Sequence, residues 1–175
     1  MHDQPDYRTA RIEMVGHQIE ARGVSNPDVL AAMRHVPRHL FVPQRHRSSS
    51  YEDRPLSIGW GQTISQPYIV ALMSEALKIT SGDNILEVGT GCGYAAAILA
   101  ELGARVTSIE RIDALCDVAR SNLRETGYGA VDVQCADGSL GWPDRAPYDG
   151  IVVTAGAPVT TKSLMHQRTP GCRIV

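Results

Sequence analysis

Apolar positions along the chain fall either at helical spacing or in unbroken runs, and the change from one to the other marks the elements. From about Tyr7 to Arg22, Ile12, Val15 and Ile19 fall at i, i+3 and i+7 among mostly polar neighbours, which predicts an amphipathic helix ended by Gly23. Asn26-Pro27-Asp28 then offers an N-cap, a proline at the first helical position and an acid in the first turn. Val29, Leu30, Met33 and Val36 supply the apolar face of that second helix. The two helices are expected to pack as a lid on a larger unit. A further helix is expected from Tyr68, with Ile69, Leu72, Met73, Ala76 and Leu77 on one face and Ser65 placed to cap its start.

Past the turn Ser81-Gly82-Asp83 the pattern changes. Ile85-Leu86-Glu87-Val88 is an apolar run that stops at an acid, passes through Gly89-Thr90-Gly91-Cys92-Gly93-Tyr94 and enters the alanine-rich segment Ala95 to Leu102. A strand buried on both faces can be apolar without alternation, so this stretch reads as a buried parallel strand, a tight turn and a helix. Strands are expected at Arg105 to Glu110, Val131 to Cys135 and Tyr148 to Thr154, and a fifth begins near Cys172. Helices at Ile112 to Thr126 and Thr160 to Gln167 lie among them. The alternation predicts an α/β chain, a doubly wound Rossmann-like parallel sheet with helices on both faces and right-handed crossovers.

At 175 residues and 43% hydrophobic, the chain is long enough for a substantial core. A formal charge of -2 gives no general reason to expect nucleic acid. Arg38, His39, Arg45, His46 and Arg47 form a local basic stretch, which is expected to be a solvated loop. The four cysteines, Cys92, Cys116, Cys135 and Cys172, show no C-x-x-C spacing, so neither a metal site nor a disulfide framework is expected, and free thiols in a reducing cytoplasm are. No stretch has the apolar length of a signal peptide core or a membrane span, which adds the expectation of a cytoplasmic protein with no membrane partner.

The chemistry gathers at the ends of the expected strands. Glycines let the backbone approach a ligand where a Cβ would block it. The spacing here is G-x-G-x-G, with Tyr94 where a dinucleotide fingerprint would have its third glycine, and no lysine follows to make a phosphate-cradling loop. Glu110 lies roughly twenty residues beyond Gly89, at the tip of the second strand, where a carboxylate can accept both hydroxyls of a ribose. That supports an adenosine-containing ligand without naming it. Asp137 and Thr154 also fall at strand ends, so four separate stretches converge on one edge of the sheet.

These residues carry a resemblance. Glu87-x-Gly89-x-Gly91-x-Gly93 is similar to motif I of class I S-adenosylmethionine-dependent methyltransferases. Gly61-Gln62-Thr63-Ile64-Ser65-Gln66-Pro67, Ser108-Ile109-Glu110-Arg111, Asp137-Gly138 and Tyr148-Asp149-Gly150-Ile151-Val152-Val153-Thr154 resemble, more specifically, the protein-L-isoaspartate (D-aspartate) O-methyltransferase family, from about Ile12 to the last residue. The resemblance implies transfer of a methyl group from S-adenosylmethionine, leaving S-adenosylhomocysteine, to the free carboxyl of L-isoaspartyl and D-aspartyl residues in damaged peptides and proteins. In family chemistry the ester then cyclises to a succinimide that reopens partly to normal aspartate. No metal is implied.

Residue by residue, it implies Ser65 as the catalytic position, with Thr63, Ile64, Ser65 and Val159 lining the substrate. Glu87, Gly89, Thr90, Gly91, Cys92, Gly93, Glu110, Arg111, Asp137, Gly138 and Thr154 would hold the cofactor. Residues 1–50 are expected to form the helical lid and basic loop, and residues 51–175 the methyltransferase domain. The family continues beyond the fifth strand, so the sheet is expected to lack its C-terminal strands. A monomer is the family expectation, with association through the open edge as a consequence of that lack. The alternatives are another class I methyltransferase acting on a small molecule or RNA, or a catalytically incomplete fragment that binds the cofactor. A thiol at Cys92 would be expected to make activity sensitive to oxidants.

Overall fold

A computed structural model of the chain describes residues 6–155 and 161–175. Five parallel strands form the main sheet: β3 (Asn84–Val88), β4 (Arg105–Glu110), β5 (Asp132–Cys135), β6 (Tyr148–Val153) and β7 (Arg168–Ile174). Their order across the sheet is β5-β4-β3-β6-β7. The chain thus winds outward from β3 to β5 and returns to the other side of β3 with β6. Ligands in doubly wound sheets bind where strand order reverses, which here is the carboxyl end of β3.

Alternation along the strands divides the core between the two faces. Ile85, Val106, Val133 and Val152 join one cluster with the helices α3 (Pro67–Leu77), α4 (Tyr94–Glu101) and α5 (Asp113–Glu125), while Leu86, Ile109 and Ile151 join a second cluster with Leu164 of the short α6 (Lys162–His166). The N-terminal helices α1 (Tyr7–Met14) and α2 (Pro27–His35) add Met14, Val29, Leu30 and Met33 to the first cluster. No helix among the described residues is long and apolar enough to cross a membrane.

Local chemistry explains most boundaries. The Asn26 side chain accepts from the main chain of Asp28 and Val29, as its place before Pro27 predicts. Two expectations need correction. The first helix is not one regular α-helix: a π-helical turn at Val15–Ile19 and a 3₁₀ turn at Glu20–Arg22 follow α1. Met14 is buried in place of Ile12, which is 49% exposed, so the buried stripe does not keep the single α-helical phase that its periodicity suggested. Ser65 does not cap α3 either. The N-cap is Gln66, which makes no side-chain capping bond, and Asp53 Oδ1 accepts the Tyr68 N–H at 3.2 Å instead.

The stretch before α3 is a hairpin of β1 (Leu56–Gly59) and β2 (Gln62–Ile64) joined through Trp60-Gly61. Both turn residues have positive φ, 49° and 71°, as a two-residue turn between twisted strands demands. Cys116 of α5 and Cys135 at the end of β5 are joined as a disulfide, their Cα atoms 6.1 Å apart. Only Cys92 and Cys172 are free. Cysteine spacing could not foresee this, because the crossover from β4 through α5 to β5 brings the pair together.

Ile98 is wholly buried between α4 and its neighbours. Ile98→Ala removes packed methylenes that the helix cannot refill, so it is expected to cost about 3 kcal/mol, read as a lower urea midpoint with an unchanged m-value.

Candidate active site

Beyond the carboxyl ends of β3, β4, β5 and β6 lies a cavity of about 860 Å³. The loop that floors it is shaped by sterics. Gly89 has φ +105°, and a Cβ there would sit 2.7 Å from Ala155 N and 2.9 Å from Thr154 Oγ1. Gly93 has φ +90° and lies against Leu123 of α5, which a Cβ would meet at 3.0 Å. Glycine is thus required twice, once for strand-end packing and once for helix packing.

Side chains from the neighbouring strands then fix the loop. Glu110 Oε2 accepts from Gly91 N at 2.9 Å, and its Oε1 accepts from the main-chain N–H groups of Arg111 and Ile112 at 3.0 and 3.1 Å. Thr154 Oγ1 donates to the carbonyl oxygen of Gly89 at 2.7 Å. Thr90 Oγ1 and Ser108 Oγ are 2.5 Å apart, and Ser108 also bonds Glu87 Oε2 at 2.5 Å. Asp137 Oδ1 accepts from Ser139 N at 2.9 Å, and hydrogen bonding to Ser139 holds this exposed carboxyl below its ordinary pKa.

Of the residues expected at the cofactor, Gly89, Thr90, Gly91, Cys92, Glu110, Arg111, Asp137, Gly138 and Thr154 all line the cavity. Gly93 lies behind it, at the start of α4. Glu87 is not on the wall: it is wholly buried beneath the loop, and its Oε1 has no hydrogen-bond partner among the described residues. Burial is the main reason its pKa is pushed up to about 8, with the Glu110 charge adding to the effect and the Ser108 bond opposing it. Cys92 is buried as well, and burial pushes its thiol up to about 11. The expected oxidant sensitivity of Cys92 therefore lacks its physical basis, since almost no thiolate exists at neutral pH.

Of the residues expected at the substrate, Thr63, Ile64 and Ser65 line the same cavity, brought over the glycine loop by the hairpin. Ile58 of β1 closes that approach: a Cβ on Gly91 would lie 3.3 Å from its Cδ1. Val159 lies outside the described residues. Val88, Ile109 and Val153 add apolar wall that residue-type reasoning passed over, because hydrophobic strand ends resemble ordinary core. Tyr94, Thr161 and Leu164 are also part of the wall.

The arrangement suits a ligand with an adenosine end and a separate small-group donor end. Acceptors at Glu110 and Asp137 stand beside apolar surfaces at Val88 and Ile109, and the glycine floor permits close approach. Thr63 of the hairpin and Ser65 directly after it bring hydroxyls to the same space. Among the described residues no cluster of three His, Cys, Asp or Glu side chains forms a metal-binding group.

A profile of the family described as protein-L-isoaspartate(D-aspartate) O-methyltransferase matches residues 10–175. Protein-L-isoaspartate O-methyltransferase 1 of Rhodopseudomonas palustris (strain HaA2) is 54% identical over 173 residues, covering 99% of this chain and 71% of the relative. The protein-L-isoaspartate O-methyltransferase of Methanoculleus marisnigri is 55% identical, over 96% of this chain and 76% of its own. A solved protein-L-isoaspartate O-methyltransferase superposes with a TM-score of 0.83 at 30% identity, covering 95% of this chain, which spans only 54% of that longer one.

Two outcomes follow for the site. Gly89→Ala is expected to lower affinity for S-adenosylhomocysteine by roughly a hundredfold, read by calorimetry, because the new Cβ displaces the strand-end backbone. Glu87 titrates near 8 in the fold and near 4.5 unfolded, so between these values the folded chain holds the extra proton. Its contribution to stability is complete below about pH 4.5 and is lost as pH rises to about 8, at about 1 kcal/mol per pH unit. Urea midpoints measured from pH 5 to 8 should therefore fall more steeply in the unsubstituted chain than in Glu87→Gln.

Proposed function

The chain belongs to the protein-L-isoaspartate(D-aspartate) O-methyltransferase family, enzymes that use S-adenosylmethionine and act on proteins with isoaspartyl damage, and from that premise we propose how its residues divide the work. The observation that carries the reading is the meeting, in one cavity, of the glycine loop with Thr63 and Ile64 of the hairpin and Ser65 directly after it. The first binds a methyl donor and the second an acceptor.

S-adenosylmethionine supplies a methyl group already activated by its sulfonium. Glu110 accepts hydrogen bonds from the ribose, Asp137 faces the adenine, and Thr154 and Thr90 keep the glycine floor in shape. Of its roughly four acceptor sites the Glu110 carboxylate keeps one, on Oε2, beyond the three main-chain donors it already satisfies. Glu87 acts from beneath the loop through Ser108 and Thr90.

The acceptor is the α-carboxyl of an L-isoaspartyl residue or the β-carboxyl of a D-aspartyl residue, ionised at neutral pH. No side chain need remove a proton. What the chain must do is hold one carboxylate oxygen in line and keep water from it. Ser65 donates a hydrogen bond to the other oxygen, while Ile64 and Val70, both buried, exclude water on that side. The partners are flexible peptides and age-damaged proteins that can thread an extended backbone past the hairpin.

Mass spectrometry of an L-isoaspartyl peptide and its normal aspartyl counterpart, each incubated with S-adenosylmethionine, tests the reading. A methyl ester is expected on the isoaspartyl peptide alone, and equal labelling of both would sink the acceptor assignment. Ser65→Ala is expected to lower kcat/KM by roughly tenfold, the worth of one hydrogen bond to a charged group, with S-adenosylhomocysteine affinity unchanged.

A further inference from the structure

The basic stretch after α2 is not a solvated loop at its first residue. Arg38 is 0% exposed, the largest of the fully buried side chains. Its Nε donates to the carbonyl of Ser50 at 2.7 Å, and its Nη2 donates to the carbonyl of Ser65 at 2.8 Å. The guanidinium carbon lies 4.9 Å from the centre of the Tyr94 ring, and Tyr94 opens α4 directly after the glycine loop. One side chain therefore ties the acceptor side of the cavity to the donor side.

Two carbonyls and the face of the Tyr94 ring meet this cation, and no carboxylate does. Among the described residues no carboxylate forms an ion pair with Arg38, and Nη1 has no hydrogen-bond partner. A buried cation without a counter-charge is costly, and fixing a backbone carbonyl does not require it, since a neutral amide could donate as well. Arginine nevertheless keeps its charge in proteins. Ser65 and Tyr94, which both line the cavity, stand between this charge and whatever the cavity holds. An anion there would see a positive potential through one layer of protein, in surroundings that screen it far less than water.

We propose that Arg38 is a positioning and specificity-determining residue: its fork sets the place of Ser65 against the glycine loop, and its charge, which no carboxylate among the described residues pairs, makes the acceptor side of the cavity select an ionised carboxyl over a neutral group of the same shape. The proposal rests on the acceptor reading above and adds to it the origin of the preference for a charged acceptor. The two functions separate on substitution. Lysine keeps the charge and loses the fork, whereas glutamine keeps donor capacity and loses the charge.

The test compares two peptides that differ only at the acceptor, one L-isoaspartyl and one with the same carboxyl as its neutral carboxamide. Binding is measured on the chain saturated with S-adenosylhomocysteine, and kcat on the isoaspartyl peptide with S-adenosylmethionine. The unsubstituted chain is expected to bind the carboxylate peptide at least about tenfold more tightly than the carboxamide. Arg38→Gln should bring that ratio to within about threefold of unity while still binding S-adenosylhomocysteine. Arg38→Lys should keep the ratio but lower kcat by about tenfold as Ser65 loses its anchor.

Equal binding of the two peptides by the unsubstituted chain overturns the proposal, and so does an Arg38→Gln chain that binds S-adenosylhomocysteine and keeps the full preference, since a purely structural arginine would weaken both peptides alike. Should Arg38→Gln fail to bind S-adenosylhomocysteine, Arg38→Lys decides: a kept ratio with lowered kcat supports the proposal, and any other result overturns it. If the unsubstituted chain binds S-adenosylhomocysteine but neither binds nor methylates the isoaspartyl peptide, the acceptor reading itself fails, and that is known before any variant is made.

Discussion

The path of the backbone between Gly89 and Gly93 is the constraint on which the rest of the site depends. Val88 ends a strand buried on both faces, and the chain must turn at once into α4 without a side chain striking Ala155 or Leu123. Only glycine satisfies that at the two ends of the loop. The turn also falls where strand order reverses, so the two halves of the sheet part there and leave room for a ligand. Glu110 and Thr154 come from the strands on either side of β3, and each bonds loop backbone. The floor of the cavity is held from both halves of the sheet.

Against this floor, the facing wall of the cavity is built from elements that precede the sheet. The β1–β2 hairpin reaches the loop through Ile58, and Asp53 secures the far end of the wall by accepting from Arg22, Gln66 and Tyr68 N. Arg38 ties the wall to the N-terminal segment. Residues 14–42 thus share one apolar core with the sheet, and Arg38 among them supplies the polar bond that sets where Ser65 stands. Two charge-bearing side chains with no exposed surface flank the site with opposite behaviour. Glu87 can shed its charge by taking a proton, and Arg38 cannot, so a lasting positive charge stands behind Ser65.

Much of this was legible because it is local. Unbroken apolar runs located the strands, Asn26-Pro27-Asp28 marked α2, and acids at strand ends marked the edge where the cavity lies. Where reading along the chain failed, a distant partner decided the outcome. Ser65 looked like a cap because it precedes a helix, yet Asp53 had already met that need from outside the window. Arg38 looked solvated because its neighbours are basic, yet the Ser50 and Ser65 carbonyls and the Tyr94 ring took it inside. Cys116 and Cys135 met across a helical crossover that no spacing rule describes.

The sequence alone determined the class of fold, the glycine loop and the identities of the residues at the strand ends, because each follows from chemistry within a few residues: a period, a missing Cβ, a carboxylate where a strand stops. Tertiary structure alone decided how those residues are used. It put Glu87 beneath the floor and not on its wall, freed Ser65 from capping, and set behind it a guanidinium that no carboxylate among the described residues pairs. Burial and hydrogen-bond partnership belong to pairs of groups far apart in the chain, and only the packing of the whole brings such pairs together.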